Sequence, residues 1–369
     1  SKKKKKNSLI YKKKSKRIYQ DKKCVPLKIY PLKENLSNIQ NRINLNNFIV
    51  KNIANILKIK LHNLSECNLN KKFQLKNPGQ VCSIFKYFKN NADIKFLSSE
   101  LGSYGFPFKF CFKNCSMDNI DSFALKILTL EKDDHEIEYY QDNYSPKNSM
   151  FFFSNLNDSD EKILEKVPQL SINVEIIIIY LLSSLVKNFV TPHINLPILA
   201  YSCKINHLLP DREIKNLELE DNIPKVNILM SEWCNQGTLR TFIKSLNKDQ
   251  RIKYFPTITF QIIYTLMVIQ NTYPNYRHND LSDNNILVYK LNKPKNYLYQ
   301  IEKNSDCYFY LLENCPFQLR LWDFDFSYIK GVVDNFKVLN FDLQQGITDK
   351  PNKYYDLGTI FSWIYSHFK

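Results

Sequence analysis

Three polar side chains in the last quarter of the 369-residue chain have types and spacing suited to phosphoryl transfer. Asp280 is followed five residues later by Asn285, and Asp323 stands on a second apolar segment. A carboxylate such as Asp280 can orient a hydroxyl and accept its proton. An amide oxygen and a second carboxylate can hold Mg²⁺ against the phosphates of a nucleotide. The pattern therefore predicts transfer of a phosphoryl group from a nucleotide to a hydroxyl.

The phosphates also need a cation, and an upstream strand supplies one. Lys126 lies inside the apolar run 122–128, where an amine must find an anion or extend to solvent. Gly102, Ser103 and Gly105 precede it in a glycine turn, which lets backbone N–H groups approach phosphate oxygens. A plain hairpin turn and a surface lysine are the alternatives.

The run 172–186 contains four consecutive isoleucines and has two interpretations. Its β-propensity favours a strand, whereas its length favours a helix buried on most sides. We predict a helix. Glu175 near its start would then face the interior and pair with Lys126, or it would lie at the positive end of the helix dipole.

A hinge is predicted where the strand 225–230 ends in Glu232, Trp233 and Cys234. Gly237 and an amphipathic helix at 239–246 follow, so backbone groups of the three hinge residues could pair with an adenine edge. An ordinary strand–turn–helix is the alternative. Further expected elements are a core helix at 257–273, an inserted hairpin between 289 and 319 that turns at 303–306, and a buried helix around 354–364.

The net charge of +16 is concentrated in residues 1–23, which carry +11. A charge run of this kind is usually a solvated arm, and its alternative is an arm that contacts nucleic acid or other acidic surfaces. The nine cysteines form no CxxC pair, which predicts reduced thiols in a cytoplasmic compartment. The longest apolar run, 176–186, is too short to cross a bilayer, so we expect no transmembrane segment.

Taken together, these motifs resemble those of eukaryotic-type protein kinases, and most closely the divergent serine/threonine kinases of large DNA viruses, of poxvirus and giant-virus type. The resemblance covers residues about 96–369. The segments that carry it are 101–105, 124–126, 173–175, 192–198, 231–239, 278–288, 323–325 and 355–356.

The resemblance implies an α+β fold with two lobes, a small β-rich N-lobe at about 96–234 and a mainly helical C-lobe at about 235–369 that is short or truncated. Before it we expect a disordered basic tail (1–45) and a helical extension (46–95). The implied activity is transfer of the ATP γ-phosphate to serine or threonine hydroxyls of protein substrates, in the host cytoplasm or in the virion.

The same resemblance assigns roles to individual residues. Lys126 would bind the α- and β-phosphates and pair with Glu175, while Asp280 would act as the base. Asn285 and Asp323 would bind Mg²⁺. The glycine turn would cover the phosphates, and Asp356 would brace the catalytic loop by accepting backbone N–H bonds.

Four departures separate the chain from the usual kinase pattern. Asn279 stands in place of an arginine that meets a phosphate on the activation loop, so we predict activity without such a phosphate. Ser282 replaces a lysine and Asp325 replaces a glycine, and the phosphate loop at 101–108 lacks a third glycine and contains Pro107. These departures also resemble choline- and aminoglycoside-kinase-type phosphotransferases, which are the second interpretation. A pseudokinase scaffold is the third.

Overall fold

The structure, a computed structural model, describes ten stretches of the chain. They are residues 38–56, 73–74, 92–97, 105–112, 122–128, 149–151, 171–203, 226–303, 306–340 and 346–367. The predicted basic arm at 1–23, Gly102 and Ser103 lie outside the described residues.

Six helices and eleven strands lie within these stretches. The helices are α1 (Ile39–Ile56), α2 (Ser171–Lys187), α3 (Leu239–Ser245), α4 (Lys248–Thr272), α5 (Phe336–Asn340) and α6 (Tyr355–Ser366). The strands are β1 (Phe73–Gln74), β2 (Ala92–Phe96), β3 (Gly105–Phe112), β4 (Ser122–Leu128), β5 (Ser149–Phe151), β6 (Pro197–Cys203), β7 (Val226–Glu232), β8 (Tyr276–Arg277), β9 (Ile286–Lys303), β10 (Asp306–Leu321) and β11 (Tyr328–Ile329).

The first seven strands form one antiparallel sheet in the order β1-β5-β6-β7-β4-β3-β2. Strand β4 is internal, between β3 and β7, and Lys126 lies opposite Pro107 on one side and Leu229 on the other. Six of the seven β4 residues are buried, so the strand is covered on both faces. The sheet therefore fixes the lysine in the interior and not at an edge.

The isoleucine-rich run forms the helix α2, as predicted. Its residues from Val174 to Leu182 are all buried, with Ile178, Ile179 and Leu182 fully inaccessible. Burial on every side of the helix outweighs the β-propensity of consecutive isoleucines, because packing and not intrinsic preference decides such runs.

The predicted inserted hairpin is present as β9 and β10, which pair from Ile286↔Leu321 outward to Lys303↔Asp306. Its inner half packs on α4, where the Gln261 side chain donates to the Phe317 carbonyl (3.2 Å) and accepts from the Leu319 N–H (2.7 Å). The pairing brings the two ends of the hairpin together. The residues that precede β9 and follow β10 are therefore neighbours in space although more than thirty residues separate them in sequence.

Two predicted boundaries need correction. Helix α4 begins at Lys248, nine residues before the predicted Thr257, because Asn247 and Gln250 form a capping box there and Pro256 does not end the helix. Helix α1 begins at Ile39, inside the segment 1–45 predicted to be a disordered tail. The side chain of Asn38 accepts from the Gln40 N–H (2.8 Å) and so caps the first turn.

The described elements confirm the α+β class, with helices and a mainly antiparallel sheet. Among the described residues one helix, α4, is long and apolar enough to cross a membrane by length and composition alone. Core helices pass the same test, and the buried residues Ile258, Ile262 and Ile269 are what such a helix places in a core. The expectation of no transmembrane segment stays a prediction.

Candidate active site

Lys126 lies at the centre of a cluster of carboxylates. Its Nζ donates to Glu175 Oε2 at 2.7 Å and to Asp323 Oδ1 at 2.5 Å. Strand β4, helix α2 and the segment after β10 each contribute one of these groups. The predicted Lys126–Glu175 pair is thus present, and it is joined by the carboxylate predicted to hold the metal.

Asp280 and Asn285 face each other across the turn that follows β8. The Asn285 Nδ2 donates to the Asp280 Oδ2 at 2.9 Å and to the Asp280 backbone carbonyl at 2.6 Å. These bonds hold the Asp280 carboxylate in one orientation. They also fix the Asn285 amide, because its nitrogen is engaged and its Oδ1 is the atom left to face a cation.

Asp323 is brought next to this turn by the base of the β9–β10 hairpin. The Trp322 N–H donates to the Asn285 carbonyl at 3.1 Å, directly beyond the Ile286↔Leu321 pair. Asp323 has a φ of 64°, in the left-handed region that aspartate tolerates better than most residues. Backbone strain of this kind persists where the surroundings hold it, and it clusters at functional sites.

The loop that carries Asp280 is braced by Asp356 on helix α6. This buried carboxylate accepts from the His278 N–H (2.8 Å, Oδ2) and from the Asn279 N–H (3.0 Å, Oδ1). Burial raises its pKa, and the same two backbone bonds are among the groups that oppose the rise. The predicted bracing role of Asp356 is confirmed.

Asn279 connects the loop to the chain on the far side of Asp323. Its Nδ2 donates to the Phe326 carbonyl at 3.0 Å and its φ is 65°. Next to it, the Arg277 guanidinium donates to the carbonyls of Lys350 (3.0 Å) and Gly346 (3.1 Å) and lies over the Tyr355 ring at 4.0 Å. Side chain-to-backbone bonds therefore order this region.

The oxygen donors of this cluster fit Mg²⁺. Carboxylate and amide oxygens are the ligands the ion prefers, and it commonly takes only one or two from protein while phosphates and water complete its shell. Asp323 and Asn285 offer such a pair. Among the described residues no group of three or more His, Cys, Asp and Glu stands at metal-ligand spacing, which this mode of binding does not require.

The ionisable groups of the cluster affect one another strongly. Burial raises the pKa of Glu175, while the charge of Lys126 opposes that rise. Burial alone would lower the pKa of Lys126, but the carboxylates of Asp323 and Glu175 raise it above the usual value. Burial also raises the pKa of Asp280, a direction that makes a carboxylate a better proton acceptor.

The predicted pairing of the hinge backbone with an adenine edge stays a prediction, and the side chain of Glu232, the first hinge residue, takes part in a structural network. Its carboxylate accepts from the Arg42 guanidinium, Nε to Oε1 at 3.0 Å and to Oε2 at 3.2 Å and Nη2 to Oε2 at 2.7 Å, and from Arg320 Nη1 at 3.2 Å. Its backbone N–H is also occupied, since it donates to the Leu196 carbonyl at 3.0 Å. Burial alone would raise the pKa of Glu232, but the two arginines hold it below its usual value.

The structure also describes Trp233, Cys234 and Gly105, which were predicted to contact the nucleotide. Trp233 lies beneath the Lys109 ammonium at 5.0 Å, and the buried Cys234 carbonyl accepts from the Gly237 N–H at 3.3 Å in a turn. Gly105 opens β3, at one end of the glycine turn. The remainder of that turn lies outside the described residues.

Sequence reasoning missed Arg42, Arg320 and Lys337. Arg320 had a signal, because a charge in the apolar run of β10 requires an acidic partner. Arg42 lies in a polar helix and Lys337 in the short helix α5, so neither has a sequence pattern that distinguishes it from a solvated cation.

Two known proteins are similar to this chain, and no family model matches it. The first is the "Putative serine/threonine-protein kinase R400" of Acanthamoeba polyphaga mimivirus, 31% identical over 216 residues that cover 53% of this chain and 45% of the relative. The predicted resemblance to kinases of large DNA viruses is confirmed. The second is a "Probable serine/threonine-protein kinase" of Dictyostelium discoideum, 28% identical over 113 residues, 30% of this chain and 9% of the relative.

The chain therefore spans less than half the length of each curated relative it matches. The similarity supports a kinase, and kinases of this kind use ATP and Mg²⁺ in general.

Proposed function

We propose that the chain is a serine/threonine protein kinase with a two-lobed fold, which transfers the γ-phosphoryl group of ATP to hydroxyls of protein substrates. The observation that carries the proposal is the convergence of Lys126, Glu175 and Asp323 at 2.5–2.7 Å, next to the bonded pair of Asp280 and Asn285. Four segments distant in sequence meet there, and positioning with charge neutralisation is what phosphoryl transfer asks of a protein.

Each residue is assigned the role that the kinase resemblance implies, and its contacts support that role. Asp280, held by Asn285, orients the acceptor hydroxyl and takes its proton as the new O–P bond forms and the bond to ADP breaks. Lys126, fixed by Glu175, neutralises the α- and β-phosphates. Asn285 and Asp323 hold Mg²⁺, which offsets negative charge on the phosphates when it is bound.

Two further proposals concern partners and compartment. The similarity to a mimivirus protein supports a place in the host cytoplasm or the virion. The described cysteines Cys234, Cys307 and Cys315 are free thiols, in keeping with a reducing compartment. The basic residues before position 24 are proposed to contact nucleic acid or another acidic surface.

The test is a transfer assay with ATP labelled at the γ-phosphate, Mg²⁺ and three acceptor classes, namely proteins, choline and aminoglycosides. Label on serine or threonine is the expected result. Label on a small molecule alone would favour the second interpretation, and no turnover would favour a scaffold.

An Asp280→Asn variant checks the mechanism in the same assay. We expect its kcat to fall by about 10²–10⁴-fold, the usual contribution of a positioned base. Asp249→Asn is the matched control, because Asp249 is an exposed acid in the first turn of α4, and we expect it to retain wild-type kcat. An Asp280→Asn protein with full activity would refute the assignment of the base.

A further inference from the structure

The catalytic loop lacks a cation where the resemblance leads one to expect it. Ser282 stands two residues after Asp280, at the position of a lysine in the serine/threonine kinases that the chain resembles. A serine hydroxyl carries no charge. The negative charge that develops on the transferred phosphoryl group is then left without the cation that normally accompanies the base.

Lys337, at the second position of α5, places a buried ammonium next to the same site. Its side chain is 4% exposed, and its Nζ lies 3.7 Å from Asp325 Oδ2. The ammonium also lies over the ring of Phe326, 3.7 Å from its centroid. Lysine is rarely buried unless an anion holds it there, so Asp325 gives the physical reason for its position.

Asn335 fixes α5 against the turn that carries Asp323. Its Nδ2 donates to the carbonyls of Asp325 (2.7 Å) and Ser327 (3.1 Å), and its Oδ1 accepts from the Lys337 N–H (3.1 Å). Asn335 is itself fully buried. The backbone of Lys337 is therefore tied to the Asp323–Asp325 turn through one side chain, and the ammonium is positioned by the fold.

Contacts also connect Lys337 to the segment that carries the base. The ring beneath its ammonium belongs to Phe326, whose carbonyl accepts from Asn279 Nδ2 at 3.0 Å, and Asn279 directly precedes Asp280. Asp325, which lies beside the Lys337 ammonium, follows Asp323 by two residues, and Asp323 Oδ1 accepts from Lys126 Nζ at 2.5 Å. Lys126 on the sheet and Lys337 on α5 therefore each pair with one carboxylate of the Asp323–Asp325 turn.

We propose that Lys337 is the second active-site cation, which takes the place of the lysine missing at position 282 and contacts the phosphoryl group as it passes to the acceptor hydroxyl at Asp280. In this role Lys337 stabilises the charge on the phosphoryl oxygens while the bond to the hydroxyl oxygen forms and the bond to ADP breaks. The proposal rests on the proposed kinase function and adds to it a residue from outside the catalytic loop.

The decisive test removes the ammonium at position 337 and places a new one at position 282 of the loop that carries Asp280. Lys337→Met removes the ammonium and keeps the length of the side chain, and the double variant Lys337→Met/Ser282→Lys restores a cation two residues after the base. Lys330→Met is the control, since Lys330 is an exposed lysine seven residues upstream. Each variant of the 369-residue chain is assayed for kcat and KM for ATP with a protein acceptor, for ATP hydrolysis with water as acceptor, and for its thermal midpoint.

We expect Lys337→Met to lower kcat by about 10²–10³-fold, as loss of one charge-stabilising group does elsewhere, with KM for ATP within about threefold. The control should keep wild-type kcat, and the double variant should recover at least tenfold over Lys337→Met. A purely structural lysine would give loss without recovery, because a charge at 282 cannot repair packing at α5. That result, or a Lys337→Met protein within threefold of wild-type kcat, overturns the proposal.

The wild-type protein in the same assays distinguishes failure of the kinase assignment from failure of the Lys337 proposal. A wild-type protein that neither labels any acceptor nor hydrolyses ATP overturns both proposals. A wild-type protein that hydrolyses ATP without labelling protein overturns the protein-kinase assignment alone, and the hydrolysis rates of the three variants then test Lys337 by the same ratios.

Discussion

Replacing Arg42 by alanine should destabilise the protein strongly, although the residue lies far from Asp280 in sequence and in a helix with no apparent chemistry. Arg42 is buried to 1% exposure. Its guanidinium donates to both oxygens of Glu232 and to the carbonyls of Pro192 (2.5 Å) and Ile194 (2.6 Å). It therefore joins α1 to the end of β7 and to the chain that leads into β6.

The magnitude follows from what the substitution leaves behind. Removing one partner of a buried ion pair costs about 3–5 kcal/mol, because the other charge stays buried without compensation. Here Glu232 keeps Arg320 and the Leu196 N–H (3.0 Å), which places the loss near the lower value. The two carbonyls lose their donor as well, at about 1–3 kcal/mol each if no water replaces it. We expect a loss of about 3 kcal/mol or more in the free energy of unfolding.

Urea unfolding of wild type, Arg42→Ala and Arg42→Lys measures this loss. Asn44→Ala is the matched control, since Asn44 is exposed on the same helix and should change stability by less than about 0.5 kcal/mol. Lysine keeps the charge but not the fork of donors, so Arg42→Lys should fall between the two.

The pH dependence gives a second, independent readout. The folded-state pKa of Glu232 lies below its usual value of 4.5, so its contribution to stability is present above pH 4.5 and is lost as the pH falls through the folded-state pKa. The difference between wild type and Arg42→Ala should therefore narrow below pH 4.5. A loss of less than about 1 kcal/mol at pH 7 would refute the view that Arg42 anchors α1.

Two other predictions follow from the loop that carries Asp280. Treatment with a phosphatase, with removal of phosphate checked by mass spectrometry, should leave kcat within twofold of the untreated protein. The reason is that Asn279 and Arg277 bond to the backbone carbonyls of residues 326, 346 and 350 and not to a phosphate. Loss of activity after the treatment would contradict this prediction. Asp356→Ala should lower the free energy of unfolding by about 3 kcal/mol or more, measured by urea unfolding, because two buried N–H groups lose a charged acceptor. An Asp356→Ala protein of unchanged stability would show that other groups satisfy the two donors.

The sequence predicted the parts of the site that local pattern determines. The spacing of Asp280 and Asn285 predicts that both lie in one short turn, and the apolar residues before Asp323 predict that it follows a strand. The helical state of 171–187 followed from the length of an apolar run, and the hairpin from alternation on either side of a polar turn. In each case a short-range periodicity or spacing carried the prediction.

The contacts of Glu232 with two distant arginines carried no such signal. The sequence drew attention to the backbone of Glu232, which ends a strand before a glycine, but gave no sign that its carboxylate is held by arginines 190 residues upstream and 88 residues downstream. Three charged groups in one buried network leave no periodic trace, since each lies in an element whose pattern is set by its apolar neighbours. Because the three groups are buried, each charge must have a partner, but only the three-dimensional structure identifies which residues are paired.

The same reasoning accounts for the departures around Asp280. A glycine at 325 would leave no carboxylate to hold Lys337, and a lysine at 282 would make a second cation at α5 unnecessary. Under this proposal Asp325 and Ser282 have one joint explanation, in which the cation near the base lies on α5 and Asp325 is the anion that holds it. If so, Asp325→Gly alone should lower kcat as Lys337→Met does, and Ser282→Lys should restore it, because the cation at 282 needs no anchor at 325.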